Sequence, residues 1–178
     1  LFSLGFPATK AGHRPVRRLM LWMTVPYMIG IVVADSATDE LEKIRAEWRA
    51  HPDVLELRWL IYSHHEQWDA CLDITSAIVK MAPDRVSGWI HKAISLRRAN
   101  GGGFENAKAL LLEAAKLFPT EWAIHYNLAC YSAQLGQLDA AQEHLNKSYE
   151  LGDTQQIKLM ALDDDDLNPL WQGEAQQR

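Results

Sequence analysis

The chain has 178 residues, 48% of them hydrophobic and 23% charged, a balance that suits a domain with its own core and excludes disorder throughout. Its formal net charge is −5, and residues 1–34 hold Lys10, Arg14, Arg17 and Arg18 without one acid, which leaves −9 on residues 35–178. So acidic a body repels phosphates, and with no basic stripe of interleaved aromatics it excludes nucleic acid as a partner.

In chain order, Arg17 and Arg18 precede residues 19–34, an uncharged run interrupted by Pro26. The run is short for a membrane span. Its basic start, apolar middle and small-residue end at Val32, Val33 and Ala34 match the layout of a secretory signal peptide, which would send the protein to a secreted or periplasmic location. Met20, Met23 and Met28 equally allow a natural start inside the run. Both readings stay open, and residues 1–34 are set apart from the fold. No membrane segment is expected in residues 35–178. The cysteines Cys71 and Cys130 each sit in a helical pattern beside apolar residues, as reduced, buried thiols do, which favours the cytoplasm.

Residues 36–50 predict an amphipathic helix, with Asp39 and Glu40 in its first turn and Leu41, Ile44 and Trp48 along one face, capping the body within residues 35–51. From there apolar spacings of three and four dominate, so the fold class is all-α. The pattern also repeats. Phe104, Ala107, Leu111, Ala114 and Leu117 recur 34 positions later as Leu138, Ala141, Leu145, Ser148 and Leu151. The same set lies 36 positions earlier as Trp68, Cys71, Thr75, Ile78 and Met81, and Pro83 matches Pro119. Leu55, His91 and His125 correspond, as do Trp59, Ser95 and Ala129, and then Glu66, Gly102 and Gly136. Gly136 suits a left-handed helix end, and the glycines at 101–103 do the same with slack. At the end, Thr154 is expected to cap a helix through residue 161, with Leu167, Leu170 and Trp171 folding back on it.

These residues resemble the tetratricopeptide repeat family: the 34-residue period, the interhelical glycine, a large apolar residue two positions on, an alanine three further, and a closing proline. The resemblance implies a right-handed α-solenoid of three helix-turn-helix units over residues 52–153 (about 52–87, 88–121 and 122–153), with residues 154–178 as C-terminal cap and tail. The third unit matches best, through Leu128, Ala129, Gly136, Leu138 and Ala141. The first departs most, with Arg58 and Trp59 at apolar and small positions and Glu66 in place of glycine. The ending at residues 161–171 is similar to those of uncharacterised bacterial members.

The resemblance further implies that the first helix of each unit lines a concave groove, here Glu56, Leu60, His64, Trp89, Lys92, Leu96, Asn100, Ala123, Tyr126, Asn127, Cys130 and Gln134. Trp89, Leu60, Leu96 and Tyr126 are the candidate anchors for a peptide or helix, although Trp89 and Leu96 also suit packing between helices. Lys92 and Asn127 match parts of the family's carboxylate clamp, but Leu60 and Leu96 stand where asparagine is wanted. The implied function is a noncatalytic protein-interaction module, scaffold or adaptor, monomeric or homodimeric. The alternative is a chaperone of the type III secretion class for apolar substrates.

Chemistry finds little support. No nucleophile elbow or phosphate loop is present. Residues 163–166, four consecutive aspartates, lack the interleaved spacing of an EF-hand and read as a solvated turn with an aspartate cap. His91 and His125 hold equivalent positions and could approach one another, but two imidazoles make a poor zinc site, so neither a metal nor a cofactor is expected. A hydrolase built on His64 or His65 is a third reading that no partner residue at motif spacing supports.

Overall fold

The computed structural model describes residue 41 and residues 43–176, all helix, turn and loop, with no strand among them. A 3-10 turn, Ala46–Trp48, leads into α1 (Pro52–His64) and α2 (Trp68–Met81). Next come α3 (Val86–Arg98), α4 (Phe104–Leu117), α5 (Trp122–Gln134) and α6 (Leu138–Leu151). The chain finishes with α7 (Thr154–Leu162), a 3-10 turn Asp165–Leu167 and α8 (Asn168–Gln176). Each helix from α1 to α6 packs on the one after it, so three antiparallel pairs follow one another as an α-solenoid.

The pairing has a local cause. Pro52 opens α1 at a position where its missing N–H is harmless, and His51 Nδ1 accepts from the Asp53 N–H at 3.3 Å. Two of the three turns inside the pairs close alike. After α1, Glu66 N–H donates to Ser63 O (3.1 Å) and Gln67 N–H to Tyr62 O (2.9 Å). After α5, Gly136 N–H donates to Ala133 O (3.0 Å) and Gln137 N–H to Ser132 O (2.9 Å). This is the Schellman pattern, which needs a left-handed residue: Gly136 supplies φ 70°, and Glu66 adopts φ 55° despite its side chain. The middle pair differs from the expected correspondence of Gly102 with Gly136. There the left-handed residues are Gly101 and Gly103, and Gly102 is required because a Cβ on it would stand 1.7 Å from Leu96 O.

Packing follows the repeat spacing. Cys71, Ala107 and Ala141 have no exposed surface, nor do Thr75, Leu111 and Leu145, nor Ile78, Ala114 and Ser148. Each set recurs 36 and then 34 positions apart, so the second helix of every pair buries the same stripe. The fifth member of that pattern behaves otherwise. Met81 and Leu117 are 52% and 58% exposed, so the stripe is no longer buried at the last residue of either helix. Both cysteines are free and buried.

Trp59, a large residue at a position expected to be small, is buried all the same. Its ring stacks on His91 at 3.7 Å between centroids, and its Nε1 donates to Ser95 Oγ at 2.9 Å. Trp59 of α1 thus lies against the α3 positions equivalent to Leu55 and to Trp59 itself, one pair reaching the next through a single ring. His91 accordingly does not pair with His125: both His91 ring nitrogens lack a hydrogen-bond partner, and burial lowers its pKa to about 3. The ring facing His125 is His144 of α6, with Nδ1 atoms 3.3 Å apart.

Of the helix expected over residues 36–50, the described residues show Leu41 helical and buried, and no helix from residue 43 onward. Residues 36–40 and 42 lie outside the described residues; from residue 43 the chain turns, and its regular piece is the 3-10 turn. Of the stripe that was to hold the helix down, Leu41 is buried at 7% exposure, Ile44 is half-buried and Trp48 is 48% exposed, so its C-terminal end lies open where the chain has left the helix. Residues 1–34, with the signal-like run, also lie outside the described residues. Among the described residues no helix is long and apolar enough to cross a membrane.

Candidate functional site

The candidate positions form register rows along the first helices of the three pairs. Glu56, Lys92 and Tyr126 are one row, Leu60, Leu96 and Cys130 the next, and His64, Asn100 and Gln134 the third. Within a helix these rows are four residues apart, so α1 and α5 present all three on one face and α3 the first two, Asn100 lying just past the end of α3.

On α1 and α3 the face is half-buried. Leu60, His64, Trp89, Lys92 and Leu96 all keep part of their surface in solvent. Glu56 Oε1 accepts from Ser87 Oγ and lies 3.4 Å from Arg85, which also pairs with Asp53. Trp89 is held by its Nε1 bond to Pro83 O at 3.0 Å and rests its ring against the core. Asn100, exposed, receives both oxygens of Asp69: its N–H donates to Oδ1 at 2.9 Å and its side-chain amide to Oδ2. Lys92 has neither an ion pair nor a hydrogen bond among the described residues.

On α5 the same face is covered. Tyr126 and Cys130 retain 4% and 3% exposure, although the sequence pattern leaves them open to a partner. The cover is the acidic run at residues 163–166, which is not merely a solvated turn. Asp164 caps the second 3-10 turn through Oδ1, which accepts from Asp166 N–H at 3.0 Å. Its Oδ2 accepts from Tyr126 Oη at 2.8 Å and lies 3.6 Å from Cys130 Sγ. Gln134 Nε2 donates to Asp166 O at 2.9 Å, and Arg97 of α3 pairs with the Asp166 carboxylate. Leu167, with no exposed surface, and Leu170, at 3%, anchor the segment, while Trp171 donates to Ala161 O at 3.2 Å. Asn127 stands aside from this contact, its amide donating to Ala123 O one turn back at 2.8 Å.

The electrostatics follow from the cover. Burial, then the neighbouring Cys130 and Asp164, push the Tyr126 phenol far above its usual range, so it remains a donor. Burial, reinforced by Asp164 and Asp166, holds Cys130 as a thiol, and burial alone raises Cys71 to about 11. Arg97 lies 4.9 Å from the Phe104 ring centroid and 5.6 Å from that of Tyr131, which fixes the guanidinium opposite Asp166.

Asp164, Asp166 and Arg97 are the residues that sequence reasoning missed. Four adjacent aspartates read as solvent-seeking, and the acceptor of Arg97 is 69 positions away. The remaining histidines form no metal cluster: no group of three or more metal-ligating side chains occurs among the described residues. His125 and His144 are both lowered in pKa, His125 by burial and then Lys147, His144 by burial and then His125 and Lys108. His64 and His65 meet edge to face, 5.5 Å apart.

No family model and no curated protein sequence matches the chain. Among solved structures, it is similar to one described as MamA MSR-1 C2, a tetratricopeptide-repeat protein, with a TM-score of 0.55 and 23% sequence identity. The match covers 69% of this chain and 70% of that one. The likeness is one of fold, and together with the stacked helix pairs it identifies a tetratricopeptide-like helical-repeat solenoid.

Proposed function

We propose that this chain is a noncatalytic interaction module, which holds a segment of a protein partner along the partly open face of its first two helix pairs. The observation that carries this reading is the behaviour of the third pair. There the corresponding face, Tyr126, Cys130 and Gln134, already holds a polypeptide segment, the chain's own acidic turn. A face that binds peptide in one pair is offered partly open in the two before it.

The open part combines apolar and cationic chemistry. Leu60 and Leu96 occupy one register row, and Lys92, one turn from Leu96, has no partner among the described residues. Trp89 adds a rigid ring at the start of α3, where burial of an aromatic contributes strongly to an interface. An extended or helical segment with one acidic group and apolar neighbours fits this set. The partner is thus a protein or peptide, and neither a metal nor a cofactor enters the reading.

The test is capture from the protein's native extract by wild type and by the double variant Leu60→Ser, Lys92→Glu, with thermal unfolding as a folding control. Loss of a specific partner by a variant that melts as wild type does is the expected result. Equal recovery would show that the interface lies elsewhere.

A further inference from the structure

We propose that the acidic turn at residues 163–167 is a built-in competitor, and that the external ligand it holds off is a segment of the same chemistry: two carboxylates two residues apart followed by a leucine. The inference rests on the reading of the first-helix faces as the partner-binding surface, and assigns the third pair's share of it.

Charge and donor pattern carry it. Helix α5 has no Asp, Glu, Lys or Arg in its whole length, so the face itself neither attracts nor repels by charge. What it presents are hydrogen-bond donors, the Tyr126 hydroxyl and the Gln134 amide, joined by the Arg97 guanidinium from α3. Arg97 is only 15% exposed in its side chain and is wedged beside two aromatic rings, a rigid anion receptor rather than a waving surface arginine. All three groups donate: Tyr126 to the Asp164 carboxylate, Arg97 to the Asp166 carboxylate and Gln134 to the Asp166 backbone carbonyl.

The occupant lies near the end of the described chain, after α7 has packed on α6. Its removal leaves the three pairs and α7 in sequence, whereas removal of any earlier segment would cut the solenoid. Leu167 and Leu170 supply the apolar part of the bound segment, and the carboxylates supply its direction. A tethered ligand acts at an effective concentration in the millimolar range, so an external segment of equal intrinsic affinity is held off until it is abundant or binds additional surface. The open row on α1 and α3 is continuous in register with the covered row on α5, and offers that additional surface.

The experiment titrates a fluorescent peptide reproducing residues 163–172 onto the full chain. The double variant Asp164→Asn, Asp166→Asn weakens the internal competitor without touching the receptor, and is expected to bind the peptide at least tenfold more tightly than wild type. Adding Arg97→Glu to that variant should abolish binding, and a peptide carrying Asn at both acidic positions should bind neither protein. The single variant Asp166→Asn, which keeps the Tyr126 contact, is expected to gain at least threefold, and it replaces the double variant if that one loses its helical circular dichroism. Equal affinities of wild type and variants, or binding indifferent to Arg97, overturn the proposal. Failure here with partner loss in the Leu60, Lys92 variant would leave the interaction module standing without its competitor. A gain here with unchanged partner recovery there would move the partner to the third pair.

Discussion

The first and third helix pairs build the same backbone turn from different side chains, and they treat the same face differently. In the third, Gly136 takes the left-handed position without strain, the residue equivalent to Trp59 is alanine, and the face over Tyr126 and Cys130 is sealed by the chain's own acidic turn. In the first, Glu66 is forced to positive φ, Trp59 spans to the next pair, and Leu60 stays partly open. The stack therefore tolerates departures from the repeat pattern wherever a neighbouring pair can absorb the ring or the strain. Exposure of this face in the third pair is decided by the segment C-terminal to the repeats, and not by the face's own residues.

The largest expected effect lies in the part of the stripe that the two pairs do not share. Leu145, with no exposed surface, is equivalent to Thr75, whose hydroxyl donates to Cys71 O at 2.8 Å. Leu145→Ala should destabilise the protein by about 2–5 kcal/mol, since it leaves a cavity as well as losing burial. Thr75→Ala should cost clearly less, because it removes fewer buried apolar atoms. Denaturant unfolding of both variants measures the contrast.

The next effect separates the pairs by pH. His91, stacked on Trp59, has a pKa of about 3 when folded, against an ordinary 6.5. Between those values the unfolded chain binds the extra proton, so stability is fully present above pH 6.5 and falls as the pH drops toward 3, by up to about 1.4 kcal/mol per unit. Replacing the imidazole by His91→Phe should flatten that dependence, read as melting temperature against pH.

Smaller again is the seal itself. Tyr126→Phe removes the donor to Asp164 and leaves a part-buried carboxylate short of one bond, worth about 1–3 kcal/mol. It should also speed alkylation of Cys130, now covered by Asp164, in a Cys71→Ala background; an unchanged rate would mean that the turn does not control access to this face.

The smallest test returns to the two turns. Glu66→Gly relieves a left-handed side chain and should stabilise by up to about 1 kcal/mol, whereas Gly136→Ala should destabilise by a similar amount. Opposite signs at equivalent positions would show that the turn geometry, and not the residue, is shared.

Much of the fold was legible because its determinants are local and periodic. The helical spacing, the recurrence of Cys71, Ala107 and Ala141, the need for a left-handed residue at Gly136 and the folding back of Leu167 and Leu170 can all be read from residue order. The site was legible only in part. Register places Leu60, Lys92, Leu96 and Tyr126 along one face, but whether that face meets solvent depends on a segment dozens of residues away. The amphipathic spacing of residues 36–50 did not mark where the helix gives way, since beyond Leu41 the chain turns from residue 43 and Trp48 lies open.

By itself, then, the sequence determined an all-α chain of stacked helix pairs, because hydrogen bonds within helices and the burial of periodic stripes are set by spacing along the chain. Only the tertiary structure decided that Trp59 lies on His91, that Arg97 meets Asp166, and that the acidic run closes the face of α5. Those contacts join residues far apart in sequence, and a carboxylate's choice between water and a buried donor depends on which donors the fold brings within reach.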